Sequence, residues 1–439
     1  MKSLFALATM SLLLVPAALK APAQQRTIEG RWEAEAQYWD REDRVQIQLR
    51  AEIEGDRISY GTTFVAGELA GLDLHQTDRS GPVHFELERE AGTVVFDGEQ
   101  RGDEAWGEFV WTGSAEFLRG MEQLGYDDLS LRHHFSMTLQ DVTTAFVQAM
   151  QERGYQRVSA RDLIRFRIFG VDSEFVDEMA EAGYEDLSAR ELVRFRIHGV
   201  SVEYIEDLAQ QGYRNLTEED LVRFRIHGVS PEFIAEMGEL GYTNLSPDDL
   251  RRARIHGVSP RFAREMSEAG FDRVSLADLV QFRIHGVSPE FIADMAELGY
   301  PGLSADDLRR ARIHGVSVSF IRDMSEAGYD HLSMDDLVQF RIHGVSPEFV
   351  DELKDAGYDD LSGRTLQRMR IHGVSPRFIR EMAEVGYENI PAETLIRMRI
   401  HNVDADFVKE LEEHNFKDLS AEQLIEAKIH SGWWRRRRP

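Results

Sequence analysis

The sequence predicts a mainly α-helical protein with a β-rich N-terminal domain, its helices forming an α-solenoid of 29-residue two-helix repeats. Three observations predict it. From about residue 113 the phrase "F..M...GY..LS" recurs at a fixed 29-residue step, through Phe117, Phe146, Phe175, Tyr204, Phe233, Phe262, Phe291, Phe320, Phe349, Phe378 and Phe407. Self-similarity at a short fixed period is the signature of a repeat array. Before that point the period is 2, as in a half-buried strand. There is no cysteine in the 439 residues, so the chain must be held by ordinary packing, which suits a repeat array better than a small disulfide-bonded fold.

The first residues read as a signal peptide over 1–23. Lys2 supplies the positive start, Leu4 to Val15 form a short apolar run, and Ala21-Pro22-Ala23 is a small-residue cleavage site. The expectation is export to the periplasm or the extracellular space. Residues 24–112 read as an antiparallel β sandwich or small barrel of about six to eight strands. "VQIQLRAEI" places Val45, Ile47, Leu49, Ala51 and Ile53 on one face, and "VHFELERE" does the same with Val83, Phe85 and Leu87. "IEGRW" at 28–32 and "WGEFVW" at 106–111 resemble the opening and closing strands of lipocalin-like barrels.

Residues 113–431 make about eleven units, the first two degenerate, and residues 231–288 match residues 289–346 at 44 of 58 positions. One unit shows how each forms. In "VSPEFIAEMGELGY", Ser230 is an N-cap, Pro231 fits the first helical position and Glu232 complements the helix dipole. Val229 staples to Ile234; Phe233, Ile234, Met237 and Leu240 form the buried stripe; Gly241 ends the helix. In "LSPDDLRRARIHG", Ser246 caps, Asp249 closes a capping box, Leu245 staples to Leu250 and Gly257 stops the chain. Helices of about ten residues are unstable alone, so stacking must stabilise them.

The columns of the array carry the candidate functional residues. Three residues before the terminating glycine stand Arg167, Arg196, Arg225, Arg254, Arg283, Arg312, Arg341, Arg370 and Arg399, then Lys428. Eight after it stand Glu178, Asp207, Glu236, Glu265, Asp294, Asp323, Glu352, Glu381 and Glu410. The two columns predict ion pairs that fix the stacking register. In the repeated "RIHGV", arginine is then half of a charge pair, isoleucine packs, histidine favours the helix end, glycine turns the chain and valine staples the next helix.

His198, His227, His256, His285, His314, His343, His372, His401 and His430 form a column. Neighbouring stacked helices lie roughly 8–10 Å apart and metal–nitrogen bonds are about 2 Å, so consecutive members are too far apart to share an ion. Phe169 replaces the imidazole in the first full unit. The column reads as capping and packing, with a collective response to acidification as its second reading. The copies differ at Ala235, Arg264, Ala293, Arg322, Asp351 and Arg380, and in the turn between helices through Asn215, Asn244, Arg273, Gly302, His331, Asp360 and Asn389; these columns read first as unconstrained solvent positions, and second as the place where a partner-binding surface would lie. Residues 432–439 form a tail in which Trp433 and Trp434 precede Arg435, Arg436, Arg437 and Arg438. That combination suits contact with an anionic membrane. His133-His134 reads as a solvated turn.

The formal charge is −27, from 78 acidic and 51 basic residues, which disfavours nucleic acid as a partner. The sequence contains no HExxH, G-x-S-x-G or phosphate-cradling G-x-x-x-x-G-K, and no cofactor is implied. The expected function is that of a non-enzymatic protein-interaction or scaffold protein using an extended helical surface. A membrane-surface regulatory or sensing module held by the Trp/Arg tail is the alternative, and a hydrolase with its site in the β domain a third.

The units "LVRFRIHGVSPEFIAEMGELGY" resemble the extracytoplasmic repeat tails of BlaR-type membrane metallopeptidases, a resemblance covering roughly 113–430. Such a resemblance implies a sensing or interaction module outside the cytoplasm. The peptidase's zinc-binding HExxH is absent here, so peptidase activity is not implied.

Overall fold

A computed structural model of the chain describes residues 26–37, 44–69, 80–102 and 104–434. The expected signal peptide and the arginines of the tail lie outside the described residues. The chain is mainly α-helical behind a β-rich N-terminal domain: six strands come first and 22 α-helices follow among the described residues. It divides into two compact units at Arg225/Ile226, each described by itself below.

In the first unit, β1 (Thr27–Gln37), β2 (Arg44–Ile53), β3 (Asp56–Val65), β4 (Ser80–Arg89), β5 (Gly92–Arg101) and β6 (Glu104–Gly113) form one antiparallel sheet in the order β3-β2-β1-β6-β5-β4. The β2–β3 hairpin turns on Glu54 and Gly55, both at positive φ, as a two-residue hairpin loop requires. Alternation buries Val45, Ile47, Leu49 and Ile53 from β2, and Phe109 and Trp111 from β6. Trp32 is buried, its indole N–H donating to the carbonyls of Glu108 (3.1 Å) and Asp97 (3.3 Å). Gly98 leaves room for that ring, since a Cβ there would fall 2.8 Å from Trp32 Cζ2, and Gly98 and Gly107 let their strands meet closely, a Cβ on either falling about 2 Å from the carbonyl oxygen of Trp106 or Asp97.

No second sheet covers this core among the described residues, a correction to the expected sandwich or barrel. Its cover is a helix. After α1 (Ala115–Gln123), α2 (Leu131–Leu139) lays Phe135 and Leu139 into the same hydrophobic cluster. Phe135 stacks on Phe109 (5.9 Å), Trp111 donates to the Thr138 hydroxyl (2.9 Å), and Arg89 donates to the Leu139 carbonyl at the helix end (3.0 Å). The Glu90 carboxylate accepts from the backbone N–H and hydroxyl of Thr144 at the start of α3 (Thr144–Glu152). His133-His134 is not a solvated turn. Both residues are in α2, and His134 is 0% exposed, stacked on Phe117 and edge-on to Trp111.

From residue 160 onward the chain is a succession of helix pairs. Within each unit, first helices pack on the neighbouring first helices and second helices on second helices. Pro231–Glu239 is capped by Ser230, which accepts from Phe233 N–H (3.2 Å). Pro247–Ile255 begins with the expected capping box of Ser246 and Asp249. It ends with Gly257 at φ 73°, whose N–H donates to Arg254 O, while Val258 N–H donates to Ala253 O. That paired closure is the left-handed Schellman stop, and it recurs down the array. The tyrosine after each first helix adds a tie between units: its hydroxyl donates to the carbonyl 32 residues on, as from Tyr300 to Leu332, Tyr329 to Leu361 and Tyr358 to Ile390 (2.7–2.8 Å). Phe271 occupies one such position without a hydroxyl.

Candidate functional site

From residue 196 to residue 401 each second helix closes on Arg-Ile-His, and the structure gives each of these side chains a separate place. Among the described residues no arginine of the column forms an ion pair with the acidic column, which corrects the expected register of ion pairs. Arg254 lies over the ring of Phe233 in its own unit (5.0 Å), and Arg283, Arg312, Arg341, Arg370 and Arg399 repeat the arrangement on Phe262, Phe291, Phe320, Phe349 and Phe378 at 4.7–4.9 Å. In the first unit Arg196 does so on Phe175 (3.9 Å). In some members the guanidinium also reaches back to the preceding helix end: Arg225 Nε–H donates to Gly199 O (2.6 Å) and Arg312 Nε–H to His285 O (3.3 Å), whereas the buried Nε of Arg254 and of Arg399 has no hydrogen-bond partner. A planar cation can stack on a ring and still offer its edge to the negative end of a helix, so one side chain joins three segments. Among the described residues, column carboxylates that form ion pairs do so within their own helix, as Glu265 with Arg261 and Glu381 with Arg377 (both 2.6 Å).

The histidines stand at the helix end, but the carbonyls there are taken by the glycine and valine N–H groups and by the arginine. No ring nitrogen of the column hydrogen-bonds a carbonyl among the described residues, so the expected contact of imidazole with the open carbonyls is corrected. Most members are half-buried; His256, His314 and His430 are exposed. Among the described residues, no group of three or more His, Asp or Glu side chains is placed to hold a metal ion.

The isoleucine does not pack away. In residues 226–439, Ile226, Ile255, Ile284, Ile313, Ile342, Ile371, Ile400 and Ile429 are all 46–52% exposed, and Ile168 and Ile197 are alike in the first unit. Second helices adjoin one another at an interaxial spacing of roughly 8–10 Å, so the isoleucines form a row beside the stacked arginines. Sequence reasoning missed this row. Ile255 lies five residues after the buried Leu250, about 140° round the helix, which is the signal that would have found it.

Of the positions expected to bind a partner, Arg264, Ala293, Arg322, Asp351 and Arg380 are exposed and Ala235 is half-buried. Their equivalent Asp177 is bonded to Arg153 through both oxygens (2.7 Å). The varying turn column is partly fixed by backbone: Asn244, Gly302 and Asn389 have φ of 56°, 73° and 55°. At the C-terminus, the last helix, Ala421–Trp434, runs through Trp433 and Trp434, so the helix extends beyond residue 431. No helix among the described residues is long and apolar enough to cross a membrane.

A scan against protein-family models finds no match, and no curated protein matches the chain.

Proposed function

We propose that this is an exported, non-enzymatic interaction or scaffold protein whose helix pairs stack as an α-solenoid and engage a partner along the isoleucine row. One observation carries the reading: from Ile168 to Ile429 a large apolar side chain stands half-exposed at the same place in ten successive repeats. A contiguous apolar stretch open to water is costly and characteristically marks an interaction site. The stacked arginines and the histidines beside it favour a partner presenting apolar side chains among carboxylates. The resemblance to extracytoplasmic repeat tails supports a place outside the cytoplasm, as does the N-terminal apolar run.

The test replaces Ile284, Ile313 and Ile342 together by serine and compares captured envelope proteins with those of the Arg264→Ala, Arg322→Ala, Arg380→Ala triple variant. The isoleucine variant is expected to lose its partner while keeping the wild-type melting temperature. Retention by that variant, or loss only in the arginine variant, sinks the assignment of the row.

The continuous helix through Trp434 favours a second reading, a membrane-surface module. There, vesicles containing anionic lipid should pellet the full chain and fail to pellet a chain lacking residues 432–439.

A further inference from the structure

The outer face of the six-stranded sheet carries a groove that the interaction row does not use. It has a volume of about 870 Å³ and runs along Arg31 to Ala34 of β1, walled by Gln46, Gln48 and Arg50 of β2 and by residues 104–108 of β6. That volume lies in the range of roughly 300–1,000 Å³ usual for small-ligand sites. The alternation that buries Ala105, Phe109 and Trp111 turns Trp106 outward, 39% exposed. Register fixes its company: Glu33 stands opposite Trp106 on one side and Gln48 on the other, and Arg31 opposite Glu108 and Arg50. With strands about 4.8 Å apart, Trp106 and Gln48 face each other across about 10 Å of groove. Arg50 donates to both Glu33 oxygens (2.9 and 3.1 Å), which holds that carboxylate in one orientation with lone pairs left over.

The chemistry of this lining selects a ligand class. Two arginines against Glu33, Glu104 and Glu108 leave no surplus positive charge to attract phosphate. A single exposed indole is too little apolar surface for an acyl chain. What remains is an aromatic plate beside a row of planar groups that bond in pairs, which are guanidinium, carboxylate and carboxamide. Pyranose rings with equatorial hydroxyls match both features. Their flat C–H faces lie on an indole, and their vicinal hydroxyls bridge the paired donors and acceptors at the edge.

We propose that this groove is a binding site for an oligosaccharide of pyranose rings with equatorial hydroxyls, with Trp106 as the stacking platform and Arg31, Glu33 and Gln48 bonding the hydroxyls. The site is independent of the isoleucine row and of the reading built on it. Calorimetric titration of the full chain with chitotetraose, cellotetraose and the α-linked maltotetraose tests it. Saturable binding of at least one of these oligomers is expected, and Trp106→Ala should weaken it by about tenfold or more at an unchanged melting temperature. If Trp106→Ala does not fold, Gln48→Ala and Arg31→Ala carry the comparison, since both are surface polar changes. The proposal is overturned by the absence of saturable binding of any of the three oligomers, by affinities that none of these variants changes, or by a peptide that competes for Trp106 where the sugars do not.

Discussion

At the residue scale, His134 holds an unusual position. Its Nε2–H donates to Ala91 O (2.6 Å), its Nδ1 is buried without a partner, and burial pulls its pKa down to about 4. Arg26 adds to that depression. The native chain therefore keeps His134 neutral while the unfolded chain titrates near the ordinary value of 6.5. Between these values the unfolded state binds the extra proton, so this residue's contribution is complete above about pH 6.5 and is lost as pH falls toward 4. The expected outcome is that His134→Gln, which retains a donor for Ala91 O, flattens the fall of the melting temperature over that window relative to wild type. Parallel pH profiles of the two proteins would exclude His134 as a source of acid sensitivity.

The arginine column makes the complementary point about what residues reveal. Arginine followed by a carboxylate column reads as ion pairing, because opposite charges at fixed spacing are visible in a string. Both Phe233 and Glu236 lie on the helix that Arg254 meets. Only the packed geometry decides that the ring takes the guanidinium, leaving its edge for the helix end. A sequence pattern shows which groups are repeated, and it leaves open which neighbour wins.

At the scale of elements, the helices were the legible part. Ser-Pro-Glu starts, capping boxes and glycine stops all lie where local chemistry places them, because caps act within four residues. The sheet was legible in its strands and illegible in its cover. One-sided alternation is the same whether a second sheet or a helix lies on it, and α2, with His133, His134 and Arg132, reads as polar. The tyrosine ties were equally hidden, since their acceptors are backbone carbonyls 32 residues away. They yield a prediction. Phe271 stands where neighbouring units carry a bonding tyrosine, so Phe271→Tyr should add one bond to Leu303 O, and Tyr329→Phe should remove the bond to Leu361 O. Each change is expected to be worth about 1 kcal/mol, with opposite signs, by denaturant unfolding. Destabilisation by both changes would show that the hydroxyl is not what joins the units.

At the scale of the molecule, the consequence of repetition is modular stability. Within residues 226–439 each helix meets its counterparts in adjacent units, so stability approximates a sum of unit and nearest-neighbour terms. The repeat itself supplies a clean deletion: removing residues 289–346 joins Ser288 to Pro347 and restores "HGVSPEF" at the seam. Every cap, staple and arginine–ring stack finds an equivalent partner in the shortened chain, and one tyrosine tie is lost, because Leu361 O then meets Phe271 in place of Tyr329. That protein is expected to fold with the same helical content per residue and a cooperative melt at a modestly lower temperature. Deletion of residues 289–332 removes one and a half units instead. It sets a second helix where a first should follow, leaves a guanidinium without its ring, and should give a chain that melts without cooperativity or aggregates. Circular dichroism and calorimetry of the two deletions distinguish nearest-neighbour stacking from a single global core, because a global core would fail equally in both.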